Sequence, residues 1–216
     1  MKRTILNLTI AALVMAGCSS PSATKVSPEV TTTTTTAAAP TTTTTTAPLV
    51  SAQSLLLTVD QLPSGWSVNN TVIPHSSNCY ADPLLKVPQI SYGTITFAQG
   101  GTAPELVEDV GSYTSPAAAF ATIKSTLDGC TSFTETANTL NVTGTMGAMS
   151  FPAYGNESAA YTATLNDAAD SVTLEQGIVV AQKGRYIVAL ALGDLGSVDT
   201  EQLQQFMTTA LAKVPS

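Results

Sequence analysis

His75 is the single histidine of a 216-residue chain. Any Ser-His-Asp relay would have to use it. It stands beside Pro74 in TVIPHSSNCYADP, and no G-x-S-x-G elbow occurs anywhere. A loop histidine is therefore expected, not a catalytic one. No C-x-x-C or H-E-x-x-H is present, and Asp167 with Asp170, or Asp194 with Asp199, is too sparse for a calcium loop. We expect no metal and no cofactor. GGTAP and GTMGAM match neither a dinucleotide fingerprint nor a phosphate loop. The one enzymatic alternative is a hydrolase of an envelope polymer, working through paired carboxylates drawn from Glu105, Glu108, Asp109 and Glu157. Such pairs must meet across a groove at about 5–10 Å. Against it stands a solvated strand edge carrying Glu105, Glu108 and Asp109. For binding chemistry the candidates are Trp66, Tyr92, Tyr154 and Arg185. Trp66 follows a tight turn and is expected first as a core anchor. Arg185 is the only arginine beyond Arg3; it would suit an anion, or be a plain hairpin surface charge.

The three cysteines are Cys18, Cys79 and Cys130. Lys2 and Arg3 precede a largely apolar run, Ile5 to Ala16. That run is shorter than the roughly 20 residues a bilayer span needs, and its order of basic, apolar and small residues describes an export signal. Met15-Ala16-Gly17-Cys18 resembles the bacterial lipobox, with Met15 where Leu is preferred. The resemblance implies that residues 1–17 are a signal peptide and that Cys18 carries a diacylglycerol thioether and a further palmitate-type chain. The protein would then sit on the extracytoplasmic face of the cell membrane. Lipidation leaves an even pair, and export places it in an oxidising compartment, so a Cys79–Cys130 disulfide is expected; two buried free thiols are the alternative.

Loss of Lys2 and Arg3 takes the formal charge from −7 to −9. So acidic a chain, with scattered lysines, is a poor candidate for binding a phosphate backbone, and no nucleic acid is expected. Anionic headgroups should repel it as well, leaving the acyl anchor to hold it. Residues 18–51, centred on TTTTTTAAAPTTTTTTAP, cannot bury enough surface to offset chain ordering. They read as a tether, with threonines suited to glycosylation.

Residues 52–216 must fold. Thr58 caps a short turn that Pro63-Ser64-Gly65 ends, and WSVNNTV begins the sheet. Residues 74–90 read as loop. SYGTITFAQ and ELVEDVGSY pair as strands, the second placing Leu106, Glu108, Val110 and Ser112 on one face. Pro116 opens a helix whose apolar face is Ala119, Phe120, Ile123 and Leu127, and Gly129 closes it. LNVTGTM suggests a strand interrupted by Gly144. Residues 158–165, 171–182 and 185–192 read as three successive strands, turning at Asn166-Asp167 and Lys183-Gly184. A last helix starts near Ser197 or Asp199, with a stripe from Leu203 to Val214. The order predicts one α+β domain: an antiparallel sheet, with two main amphipathic helices on one face or at its ends, and one disulfide.

LLLTVDQLPSGW, a first cysteine, and ELVEDVGSYTSPAAAF leading to a second cysteine resemble exported actinobacterial domains related to the extracellular sensor domain of PknH-type receptor kinases. GIVVAQKGRYIVALAL and LQQFMTTALAKV fit the same pattern. More loosely, the chain is similar to LpqN-like mycobacterial lipoproteins, with their α/β/α sandwich. The resemblance implies a ligand-sensing fold with a cleft between sheet and helix, and an envelope ligand or partner protein. It names no ligand, and the sensor domain has two disulfides where this chain can form one.

Overall fold

A computed structural model of the chain describes residues 49–70, 79, 82–100, 103–137, 140–167 and 172–215. The signal segment, Cys18, the tether up to residue 48, His75 and Asp170 lie outside the described residues. Eight strands are described: β1 (Trp66–Val68), β2 (Ser91–Gln99), β3 (Glu105–Ser112), β4 (Ser132–Ala137), β5 (Leu140–Ala148), β6 (Glu157–Asp167), β7 (Val172–Lys183) and β8 (Tyr186–Leu195). They form one antiparallel sheet in the order β1-β2-β3-β8-β7-β6-β5-β4. Two α-helices, α1 (Pro116–Asp128) and α2 (Thr200–Lys213), and three 3-10 turns complete the described elements. No helix among the described residues is long and apolar enough to cross a membrane.

The local signals act as their chemistry dictates. Asp199 caps α2, its carboxylate accepting from the Gln202 N–H at 3.0 Å. Gln61 reaches back to the Thr58 N–H at 3.0 Å, closing the short turn Val59–Gln61. Gly129 ends α1, and Cys130 follows in a disulfide with Cys79, the two Cα atoms 5.5 Å apart. The free-thiol alternative therefore falls, and the helix end is pinned to the segment before the turn Pro83–Lys86.

The helices do not share a face. Ala119, Phe120, Ile123 and Leu127 of α1 pack with Ile178, Val180, Ile187 and Ala189. Leu203, Phe206, Met207, Ala210 and Leu211 of α2 pack with Val179, Ala181, Val188, Leu190 and Leu192. Successive residues of β7 and β8 thus alternate between the two cores, as the period of two requires. Their continuous apolar runs need cover on both sides, so the helices sandwich the sheet. Each large side chain buried this way contributes about 1.5–3 kcal/mol.

Four boundaries move. The first strand stops at Val68. Asn166 and Asp167 continue β6, pairing with Thr173 and Val172. The hairpin turn is Gly184-Arg185, since Lys183 already pairs with Tyr186; Gly184 has φ 56. Gly144 does not interrupt β5. The Phe133 ring of β4, a strand the sequence pattern does not reveal, lies where a Cβ on Gly144 would be, so the glycine serves the pairing.

Candidate functional site

β5 ends at Ala148 and β6 begins at Glu157, and the chain between them runs as a strap beside the α2 core. The strap is fixed to the β7–β8 hairpin by Asn156. Its N–H donates to the Gln182 carbonyl at 2.7 Å, and its Oδ1 accepts from the Gly184 N–H at 3.0 Å. Gly155, with φ 61, passes so close to the Gln182 carbonyl that a Cβ would collide with it. Tyr154 packs on Phe151, ring centroids 5.9 Å apart, and its hydroxyl donates to the Gln204 carbonyl of α2 at 3.3 Å.

Between strap, hairpin and α2 lies an open cleft of about 540 Å³, lined by Tyr154, Gly155, Asn156, Lys183, Gly184, Thr208, Leu211 and Ala212. Lys183 Nζ donates to the Leu211 carbonyl at 2.9 Å, which places an ammonium beside the last turn of α2. On the other side of the strap a smaller cleft of about 250 Å³ has apolar walls of Met149, Phe151, Pro152 and Val179. A polar chain stands at its rim: Tyr161 donates to Asp128 Oδ1 at 2.8 Å, and Lys124 pairs with Asp128 Oδ2 at 2.6 Å. The bonds from Lys124 and Tyr161 hold the Asp128 carboxyl below its usual range, and burial pushes the Tyr161 phenol up. The first cleft is within the size range of small-molecule sites, with few polar groups on an apolar surface.

Of the four residues singled out from sequence, only Tyr154 lines either cleft, the larger one; exposed Arg185 sits in the turn beside Gly184 and does not. Trp66 stands apart as well. It is 4 % exposed and packs edge-on against Phe206, centroids 5.4 Å apart at 86°, as a core anchor. Tyr92 belongs to the α1 face, where its hydroxyl donates to Asp109 Oδ1 at 2.6 Å; burial and the Asp109 charge push its phenol up. The Lys124–Asp128–Tyr161 chain escaped sequence reasoning. Its one legible signal is the i,i+4 pair on α1.

The acids of β3 are not a solvated edge. β3 lies between β2 and β8, and Glu108 is 0 % and Asp109 7 % exposed. The expectation failed because the strand that covers β3 on its second side is more than seventy residues away in sequence. As neighbours on one strand, Glu108 and Asp109 point to opposite faces. Glu105 is four residues from Asp109, about 13 Å along the strand, and accepts from Asn69 Nδ2 at 2.9 Å. Glu157 begins β6, opposite Gln182. No two of the four face each other across a groove.

Glu108 has another task. It accepts from the Leu57 N–H at 2.6 Å, while Lys213 donates to the Leu56 carbonyl and, at 3.2 Å, to Gln61 Oε1. Burial raises its carboxyl to about 7, against the lowering effects of the Leu57 bond and Lys213. Its Oε1 makes no hydrogen bond among the described residues.

No family model and no curated protein matches the chain. Among solved structures, the fold is similar to the crystal structure of the extracellular domain of PknH from Mycobacterium tuberculosis. The match has a TM-score of 0.54 at 13 % identity and covers 74 % of this chain and 92 % of that one. At that identity the likeness is one of fold: the two helices and eight-stranded antiparallel sheet of the described residues resemble the architecture of that extracellular domain.

Proposed function

We propose that the protein is a membrane-anchored envelope lipoprotein whose domain binds a ligand or a partner protein without transforming it. The observation that carries this reading is the fold it shares with the extracellular domain of PknH over nearly all of that domain's length. Two further features support it. A disulfide at Cys79–Cys130 suits an oxidising, extracytoplasmic compartment. The strap between β5 and β6 creates a cleft large enough for a small amphipathic molecule, such as a lipid, a glycan fragment or a metabolite, with Tyr154 and Lys183 as its polar contacts. The carboxylate geometry gives the hydrolase alternative no support, because its four candidate acids diverge.

Native mass spectrometry of the protein, gently extracted from its own membrane, tests this. The expected spectrum shows a non-covalent mass beyond the acyl anchor, lost when Tyr154→Ala and Lys183→Ala are combined. Bare protein from the wild-type chain, with no partner protein retained, would overturn ligand binding at this cleft.

A further inference from the structure

The register of the sheet sorts charge along the strands. At one end, Lys183 pairs with Tyr186 across the β7–β8 hairpin; at the other, Glu175 pairs with Asp194. Eight residue steps separate Lys183 from Glu175, about 26 Å of strand. Lys183, Arg185 and Glu157 lie at the hairpin end, and Lys86 and Asp82 stand on the segment that leads into β2 there, whereas Lys124 and Asp128 sit mid-sheet at the level of Tyr161, and Lys213 and Asp60 beside Leu56 and Gln61. The far end carries Glu105, Glu175, Asp194, Asp199 and Glu201, with no lysine or arginine among the described residues there. At physiological salt the screening length is about 8 Å, so a surface touching the hairpin end does not feel the far acids.

The chain also enters at the hairpin end. Tyr186 clamps Val50, its hydroxyl donating to the Val50 carbonyl at 2.8 Å and accepting from its N–H at 2.9 Å. Ser91 Oγ accepts from the Ala52 N–H at 3.2 Å and lies 2.8 Å from Ser112 Oγ, and Ile90 donates to the Ser112 carbonyl at 2.8 Å. One connected patch therefore holds the root of the tether, Ile90 and Arg185, whose carbonyl accepts from the Tyr113 N–H at 3.0 Å. Leu49, Val50, Leu85 and Ile90, at 39, 37, 45 and 47 % exposed, stand around it.

We propose that this end of the domain docks on the anionic lipid surface of the membrane that holds the tether, with Lys86, Lys183 and Arg185 against the headgroups and Leu85 and Ile90 at their level. The proposal rests on the reading of a membrane-held domain, not on the acyl chemistry. It also revises the expectation drawn from net charge: a chain that is acidic in total presents a face that is not. Each cation near an anionic surface contributes about 1 kcal/mol, too little to bind a free domain firmly, but a tether keeps the local concentration high.

The test holds the chain from residue 18 onward to vesicles through a histidine tag and a chelating lipid, with Cys18→Ser, so that no acyl group is required. A fluorescent residue replaces either exposed Thr114, at the hairpin end, or exposed Leu195, at the far end. Energy transfer to a labelled lipid is read in neutral vesicles and in vesicles with a third of the lipid anionic. The expected result is transfer several-fold stronger from position 114 than from 195 on anionic vesicles, abolished by high salt and by Lys86→Glu with Arg185→Glu, two exposed side chains. Equal transfer from both positions, stronger transfer from 195, or indifference to charge reversal would overturn docking by this end. An intact mass without acyl groups at Cys18 would instead sink the lipoprotein reading and leave this result standing.

Discussion

Glu108 is a carboxyl in the core of the sheet, and its environment decides how the protein responds to pH. Buried between β3 and the segment Leu55–Leu57, it accepts a hydrogen bond from the Leu57 N–H, and its Oε1 has no hydrogen-bond partner among the described residues. Its charge costs more in the folded chain than in the unfolded one, so its acidity falls from 4.5 to about 7. A raised carboxyl stabilises the fold fully below the unfolded value, where both states are protonated. As pH rises from 4.5 through about 7, only the unfolded chain ionises readily, and the contribution is lost. The full loss is on the order of 3 kcal/mol. Glu108→Gln keeps an acceptor for Leu57 and removes the ionisation. We expect thermal melts of the variant to be flatter than those of the parent between pH 5 and 7, and the variant to be the more stable of the two at neutral pH. Parallel melting curves across that range would show that Glu108 is not the titrating group. The alternation in ELVEDVGSY gives the correct face for Glu108, with Leu106, Val110 and Ser112 all buried. What alternation cannot convey is whether that face is covered, because the cover comes from the segment Leu55–Leu57 and the Lys213 end of α2, far from β3 along the chain.

At the scale of elements, the disulfide joins two pieces that hydrogen bonding alone would hold loosely. Cys130 follows the last turn of α1, and Cys79 precedes the short turn Pro83–Lys86, whose Leu84 carbonyl accepts from Tyr113 Oη at 3.2 Å. The bridge closes a sequence separation of 51 residues. In the chain-entropy model that loop corresponds to about 4 kcal/mol. Replacing both cysteines by alanine should lower the denaturation free energy by about that amount, seen as an earlier urea midpoint with a somewhat steeper slope, because the unfolded chain loses its cross-link and exposes more surface. An unchanged midpoint would mean that the unfolded chain was already constrained. This link was readable from three cysteines and an export signal. So were β2, β3, both helices and the β7–β8 hairpin, because each carries its own period, cap or turn. β4 was not: Ser132–Ala137 is a short polar strand at the sheet's edge, and only its pairing with β5 defines it. The opposite placement of α1 and α2 was also missed, although apolar residues at consecutive positions in GIVVAQ already demand two covered faces. The strap behaves the same way. Tyr154 could be nominated as an aromatic in a turn, but Lys183 and α2 reach it only through the closing of the sheet.

For the molecule as a whole, the two membrane contributions differ greatly in size, and that difference makes the anchor testable. A single acyl chain binds only marginally, and stable attachment takes two chains or one chain with a basic patch. The hairpin end offers Lys86, Lys183 and Arg185, opposed by Asp82 and Glu157, so its own attraction amounts to about 1 kcal/mol per uncompensated cation. Docking by that end can orient a domain that is already held; it cannot retain one that has been released. Cys18→Ser removes the only proposed attachment point for the acyl chains. We therefore expect the variant to leave the detergent-rich phase in a phase-partition experiment, while the parent stays in it at any salt concentration. If the basic end were the true anchor, the parent itself would wash off the membrane in high salt. If Met15-Ala16-Gly17-Cys18 were an ordinary cleavage region, parent and variant would partition alike. The persistence of the parent in salt, together with the loss of the variant without it, is the combination that requires a lipid at Cys18.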